Sequence, residues 1–146
     1  VKKRPPEEIK ERVEEMLQLV GLAEYRNYYP GQLSASMLQR VSIARAFAVQ
    51  PELLLMDEPY GQLDNSLRYK LEDELIHLWQ RTGTTVIFIT HNIEEAVYLS
   101  ERILVLTNKP TSIKKEIEND LPRPRDVTDP AFNKLRDEVT DLIKWW

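Results

Sequence analysis

The fold class follows from seven residues, Leu53-Leu54-Leu55-Met56-Asp57-Glu58-Pro59. A run of bulky apolar residues without alternation predicts a strand that is buried on both faces, as in a parallel sheet covered by helices. Pro59 ends this strand because it has no N–H group to donate. Asp57 and Glu58 are therefore expected at the carboxyl end of a central strand, where open α/β sheets bind their ligands.

Two adjacent carboxylates in this place allow two different functions. Side chains alternate along a strand, so Asp57 and Glu58 are expected to point to different sides. Asp57 suits a Mg²⁺ ligand, directly or through water, and Glu58 suits a base that orients or deprotonates an attacking water molecule. The alternative is a strand that ends in two solvated acids, and these residues alone leave both interpretations open.

The composition is that of one globular domain. The chain has 146 residues, of which 42% are apolar and 30% charged, so it can bury a core. A net charge of −4 with interspersed acids and bases argues against a broad nucleic-acid-binding surface. The absence of cysteine excludes disulfides and thiolate chemistry, and a total of two histidines argues against a structural zinc site.

Two further stretches carry candidate functional residues. Residues 84–90 are β-branched and apolar and predict a second buried strand, with His91 directly after it. Because this strand is expected beside that of Asp57 and Glu58, His91 is either a catalytic residue or a structural histidine. Ser34 is a good N-cap for a helix that runs to about residue 49, and such a helix start can bind phosphate. An ordinary capped helix is the alternative.

The other elements follow from periodicity, caps and breakers. An amino-terminal helix is expected from Pro5 to about Val20, and its apolar residues fall on one face: Ile9, Val13, Met16, Leu17 and Val20. Further helices are predicted after Asp64, after Asn92 and after Asp129. Additional strands are predicted at residues 103–106 and, as an edge strand, at residues 112–117.

Taken together, these stretches resemble the carboxyl-terminal part of an ATP-binding-cassette (ABC) nucleotide-binding domain, and the resemblance covers nearly the whole chain. Four motifs occur in the family's order: the signature motif at residues 33–37, the Walker B strand at 53–59, the D-loop at 61–64 and the switch histidine, His91. The tail at residues 120–126, followed by Asp-Pro, is similar to importers of the nitrate, sulfonate and taurine group.

The resemblance implies an α/β, P-loop NTPase-like partial domain with a mostly parallel sheet and flanking helices. Residues 1–50 are expected to form part of the helical subdomain with the signature motif. Residues 51–120 are expected to form the carboxyl part of the ATPase core. Residues 121–146 are expected to form a carboxyl-terminal extension helix.

The resemblance also implies how ATP and Mg²⁺ are handled. Two such domains, forming a homodimer, sandwich ATP head to tail. Asp57 helps to hold Mg²⁺, Glu58 polarises the water that attacks the γ-phosphate, and His91 contacts that phosphate.

Other residues are implied to act across the dimer. Ser34 and the helix start behind it, formed by Ala35, Ser36 and Met37, contact the γ-phosphate of the ATP held by the opposite subunit. Asp64 links the two sites. The implied partners are a transmembrane permease subunit and a second nucleotide-binding domain, with no nucleic acid, and the implied location is peripheral, on the cytoplasmic side of the cell membrane.

Two departures from the family pattern limit these implications. The phosphate loop, G-x-x-x-x-G-K-[ST], is absent from the sequence, and so are the Gln-containing loop and the aromatic residue that stacks on adenine. All three are expected before Val1, and a start without Met suggests processing or a cut chain. Without that loop we expect the chain to bind ATP poorly and not to hydrolyse it alone. In the signature, Ala35 and Ser36 replace two glycines, and their Cβ atoms are expected to weaken the contact across the dimer.

Two alternative functions stay open at this point. One is a non-catalytic docking or regulatory fragment of an ABC protein, which the missing phosphate loop and the altered signature favour. The other is half of a DNA-repair-type ABC ATPase, which requires a heptad coiled coil before the signature, and residues 9–20 are too short for one. In either case, an uncovered sheet face or edge is expected to promote self-association.

Overall fold

The computed structural model describes residues 4–61 and 63–144. They form two compact units, and the division between the units falls after Ile87. Helices and two small sheets alternate along the chain, which confirms the predicted α/β class. Within the described residues, no helix combines the length and the apolar character that crossing a membrane requires.

The first unit begins with two helices that cap each other. Helix α1 spans Pro6–Leu19 and helix α2 spans Ala35–Ala48. Arg12 of α1 donates to the carbonyls of Phe47 (2.8 Å) and Ala48 (3.4 Å) in the last turn of α2. Arg40 of α2 donates to the carbonyl of Val20, at the end of α1, over 2.9 Å. These bonds satisfy carbonyls that have no partner within their own helix.

The inner face of α1 is shorter than the sequence predicts. Met16 and Val20 are 2% and 1% exposed, as expected for inner positions. Ile9 and Val13, predicted on the same face, are 50% and 44% exposed, so that prediction is wrong for the first half of the helix. The reason is that α1 makes its buried contacts near its carboxyl end.

Strand β1, Leu53–Asp57, pairs with strand β2, Thr85–Ile89. Helix α3, Asn65–Thr82, connects the two strands, and a crossover of this kind is what parallel neighbours require. The backbone N–H group of Thr85 donates to the carbonyl of Glu52 over 3.0 Å, which ties the start of β2 to the residue before β1.

The strands differ from the prediction in their burial. Leu54 and Met56 are buried, whereas Leu53 and Leu55 are 50% and 69% exposed. Burial therefore alternates along β1, and the prediction of a strand buried on both faces is wrong for the described residues. The same correction applies to β2, where the side chain of Ile87 is 50% exposed. Among the described residues, the side chains on one face of β1 are covered, and the apolar side chains on its other face are exposed.

The second unit contains the helices predicted after Asn92 and Asp129 and the two further predicted strands, each of which begins within one residue of its predicted start. Helix α4 spans Ile93–Leu99, strands β3 and β4 span Arg102–Leu106 and Ile113–Glu118, and helix α5 spans Pro130–Ile143. Strand β3 is antiparallel to β4. Phe132 of α5 is 1% exposed, and its ring meets that of Tyr98 of α4 edge-on, with 6.5 Å between centroids.

Two neighbouring leucines of β1 test whether burial alternates along this strand. We expect Leu54→Ala to lower the free energy of unfolding by about 2–5 kcal/mol, because it removes buried side-chain atoms and leaves a cavity. We expect Leu55→Ala, its matched control, to change that free energy by less than about 0.5 kcal/mol, because its side chain is already exposed. Chemical denaturation measures both values, and equal losses would contradict the observed alternation.

Candidate active site

The two candidate carboxylates lie where β1 turns into the following loop. Asp57 is the last residue of β1, and its side chain is exposed. Glu58 follows with a φ of +44°, in the left-handed region of the backbone. The carbonyl of Glu58 accepts from the N–H group of Gly61 over 3.3 Å, which closes a tight turn. A left-handed backbone costs a non-glycine residue about 1–2 kcal/mol, and such strain is found most often at functional sites.

Two helices hold this turn from either side. Gln39 of α2 donates its side-chain amide to the carbonyl of Pro59. Tyr60 is 2% exposed, and its hydroxyl donates to the carbonyl of Leu71 in α3 over 3.3 Å. The turn that carries Glu58 is therefore fixed to the helix that follows the predicted signature motif and to the helix that follows the predicted D-loop. Support of this kind keeps a functional group in one orientation before its ligand arrives.

The predicted signature residues form the start of α2. Ser34 is the N-cap, and its hydroxyl accepts from the N–H group of Met37 over 3.2 Å. The hydroxyl of Ser36 lies 3.0 Å from that of Ser34. Ala35 is the first helical residue, and the side chains of Ser34 and Ala35 are exposed. The predicted cap is confirmed, and the N–H groups at this end of α2 are of the kind that donate hydrogen bonds to a bound anion.

Asp64 is the N-cap of helix α3. Its side chain accepts from the N–H group of Leu67 over 3.0 Å, so the carboxylate fixes the helix start in this structure. Gln62, within the same predicted D-loop, lies outside the described residues. The role of Asp64 across a dimer stays a prediction.

His91 belongs to the second unit, whereas Asp57 and Glu58 belong to the first. It is exposed, and the residues on both sides of it are held by hydrogen bonds. The hydroxyl of Thr90 donates to Glu95 over 2.6 Å and accepts from the N–H group of Asn92 over 2.9 Å. Asn92 in turn accepts from the N–H groups of Glu94 and Glu95, so it caps α4, the helix predicted to follow it.

Asp57 suits a shared metal site better than a self-contained one. Within residues 4–61 and 63–144, no group of three or more acidic, histidine or cysteine side chains is placed to hold a metal ion. Mg²⁺ is commonly bound through one or two carboxylates together with substrate phosphates and water. An exposed carboxylate at the end of β1 fits that pattern.

Sequence reasoning missed Gln39 and Tyr60 as parts of this site. Both act through the backbone of other elements, and the distance along the chain from Gln39 to its partner is 20 residues. No local periodicity or cap signal encodes such a bond. The aromatic ring after Pro59 was the one available hint, because a buried tyrosine hydroxyl requires a partner.

The strain at Glu58 can be measured with two substitutions that remove the same side chain. We expect Glu58→Gly to be more stable than Glu58→Ala by about 1–2 kcal/mol in the free energy of unfolding, because glycine adopts a left-handed backbone without the Cβ clash. Thermal or chemical denaturation compares the two variants directly. A Glu58→Ala variant as stable as Glu58→Gly would show that the backbone is unstrained here.

Comparison with known proteins starts from sequence. The family model described as "ABC transporter" matches residues 1–61. The aliphatic sulfonates import ATP-binding protein SsuB of Bacillus cereus is 44% identical over 131 residues, which cover 90% of this chain and 52% of that protein. The nitrate import ATP-binding protein NrtD of Synechococcus elongatus is 43% identical over 136 residues, which cover 90% of this chain and 50% of that protein. The chain spans about half the length of the curated relatives it matches.

Solved structures give the same result for the fold. A dimeric structure of MJ0796, a bacterial ABC transporter cassette, matches with a TM-score of 0.70 and 33% identity, over 84% of this chain and 52% of that one. The same cassette in a post-hydrolysis state, bound to ADP and Pi, matches with a TM-score of 0.69 and 33% identity, over 83% and 51%. These matches confirm the predicted partial P-loop NTPase-like fold. By sequence and by fold, the chain belongs to the ABC transporter family of ATP-binding proteins and corresponds to the carboxyl-terminal part of its members.

Proposed function

We propose that this chain supplies the carboxyl-terminal part of the ATP-hydrolysing subunit of an ABC importer, which energises uptake of a small anion or sulfonate-like solute. The observation that carries the proposal is the strained turn at Glu58, anchored by Gln39 and Tyr60 at the end of β1. Two relatives are named as sulfonate and nitrate import ATP-binding proteins, and they support the solute class.

In this proposal the residues of the turn act on the water and on the phosphates. Glu58 accepts a hydrogen bond from the attacking water and orients it in line with the γ-phosphate. Asp57 would hold Mg²⁺, and the bound ion would offset the negative charge on the phosphate oxygens. His91 donates a hydrogen bond to the γ-phosphate. Catalysis of this type rests on position and electrostatics, because phosphoryl transfer leaves little covalent chemistry to the protein.

The start of α2 is proposed to complete the site of a second subunit. Ser34 and the N–H groups of Ala35, Ser36 and Met37 would contact the γ-phosphate there, since helix starts attract anions. Asp64 would link the two sites of the homodimer. The dimeric cassette among the structural neighbours supports this arrangement.

The partners and location follow from the same proposal. A transmembrane permease subunit would carry the solute, and the cassette would bind to it from the cytoplasmic side of the cell membrane. The division into residues 1–50, 51–120 and 121–146 remains a prediction about how this segment contributes to the whole cassette.

The isolated chain is proposed to be inactive. Its glycines, Gly21, Gly31, Gly61 and Gly83, are followed by residues other than lysine, so the sequence contains no phosphate loop. Without the amides and the lysine of such a loop, nothing in this sequence matches the motif that grips the β- and γ-phosphates in P-loop enzymes.

A non-catalytic docking or regulatory module is the second candidate function. The observation that favours it is the signature motif, where Ala35 and Ser36 carry side chains at the predicted close approach to phosphate. Ser36 also directs its hydroxyl to Ser34. The two candidates differ in whether Glu58 matters for turnover.

Hydrolysis can be tested in a chimera in which this chain replaces its aligned segment in SsuB of Bacillus cereus. We expect Mg²⁺-dependent ATPase activity that falls roughly 10²-fold or more on Glu58→Gln, because the variant no longer positions the attacking water as a base. Steady-state phosphate release measures the rate, and the isolated chain, assayed in parallel, is expected to give none.

Glu52→Gln is the matched control, because it makes the same chemical change at an exposed position just before β1. We expect the control to keep its activity. If the chimera folds and binds ATP, and its rate of ATP hydrolysis is the same before and after the Glu58→Gln substitution, the non-catalytic module is favoured.

A further inference from the structure

Helix α4 is too short to be stable in isolation. It contains 7 residues, whereas isolated helices below about 12–15 residues are marginal in water. Its stability must therefore come from its two ends and from packing. The amino end follows His91 directly and is capped by Asn92. The hydrogen bonds at the carboxyl end of α4 were not predicted from the sequence.

Three side chains from residues 119–125 satisfy the carbonyl groups at the carboxyl end of α4. Asn119 donates to the carbonyls of Val97 (2.8 Å) and Ser100 (3.0 Å). Arg123 donates to those of Tyr98 (3.2 Å) and Leu99 (2.6 Å). Arg125 adds bonds to three of the same four groups, the carbonyls of Val97, Tyr98 and Ser100.

Arg125 is the centre of this arrangement. It is 7% exposed, and it also donates to the carbonyls of Leu121 (3.2 Å) and Asn119 (3.1 Å) in its own segment. All five of these acceptors are neutral carbonyls. Three of them lie at the carboxyl end of α4, so the guanidinium charge is placed at the negative end of the dipole of that helix. Burial, together with the neighbouring Arg123, lowers the pKa of Arg125 to about 10, so the side chain is still charged at neutral pH.

We propose that Arg125, with Arg123 and Asn119, positions His91 through helix α4. The two ends of α4 are about 10 Å apart at 1.5 Å per residue, and both belong to one hydrogen-bonded element. Fixing the carboxyl end keeps the helix formed, and the formed helix keeps Asn92, Glu95 and Thr90 in the bonds that flank His91. Arg125 is thus a positioning residue, and the value of that position for hydrolysis rests on the proposed function of His91.

The chain itself offers a direct test, because it contains only two histidines. With ¹³C-labelled histidine, the ring signals of His91 and His77 are the only ones to follow by NMR. His77 lies on α3 in the first unit, where its ring nitrogen contacts the carbonyl of Asp73 over 3.0 Å, and it serves as an internal reference. We expect Arg125→Gln to shift or broaden the His91 signal and to leave the His77 signal unchanged.

Amide hydrogen exchange adds a second readout on the same samples. We expect Arg125→Gln to speed exchange in α4 at least about tenfold, which is what the loss of one hydrogen bond from a charged group implies. Arg102→Gln is the matched control, since Arg102 is in the same unit, is 67% exposed and pairs with Glu116. It removes the same charge and is expected to change neither readout.

Arg123→Gln keeps the test decisive if Arg125→Gln prevents folding. It removes the bonds to Tyr98 and Leu99 and keeps those of Arg125, so we expect smaller changes of the same two kinds. Faster exchange in α4 with an unaltered His91 signal, or no change in α4 at all, would overturn the proposal. Because no nucleotide is present, an inactive chimera would refute the proposed function without touching this result.

Discussion

Carbonyl groups at helix ends are the constraint that both units satisfy in the same way. The last carbonyls of a helix have no partner within it, and a buried one without a partner is costly. In the first unit Arg12 supplies the donors for α2, and in the second unit Arg123 and Arg125 supply them for α4. A hydrogen bond from a charged group contributes about 1.5–3 kcal/mol, which is large for one contact.

These arginines matter because of what lies at the other end of each helix. The amino end of α2 carries Ser34 and Ser36, and the amino end of α4 follows His91. In both helices a guanidinium group fixes the carboxyl end, and an exposed candidate site residue, Ser34 or His91, lies at or just before the amino end. Hydrogen bonds from distant side chains also fix the turn at Glu58. Gln39 and Tyr60 hold a left-handed backbone that is unfavourable for a glutamate.

Local signals in the sequence were sufficient for the elements and their caps. Ser34, Asp64, Asn92 and Asp129 all cap the helices predicted from them, because an N-cap bond spans only two or three residues. The family and fold class were also recognisable, since four motifs in order are far more specific than any one. The burial of β1 was not predictable, because Leu53 and Leu55 show only that the strand is apolar, and which face is covered depends on what packs there. The left-handed Glu58 and the reach of Arg125 were equally hidden, because both are set by tertiary contacts and not by neighbours in sequence.

The central claim is that this chain holds one part of a nucleotide site whose phosphate-gripping part has no counterpart in its sequence. Equilibrium titration of the chain alone with a fluorescent ATP analogue and Mg²⁺ tests that claim most directly. The account predicts no saturable binding up to roughly millimolar nucleotide, because the phosphate-loop amides and lysine are absent from the sequence. Saturable binding at micromolar concentration would contradict it and would mean that the chain builds a complete nucleotide site from the residues it has.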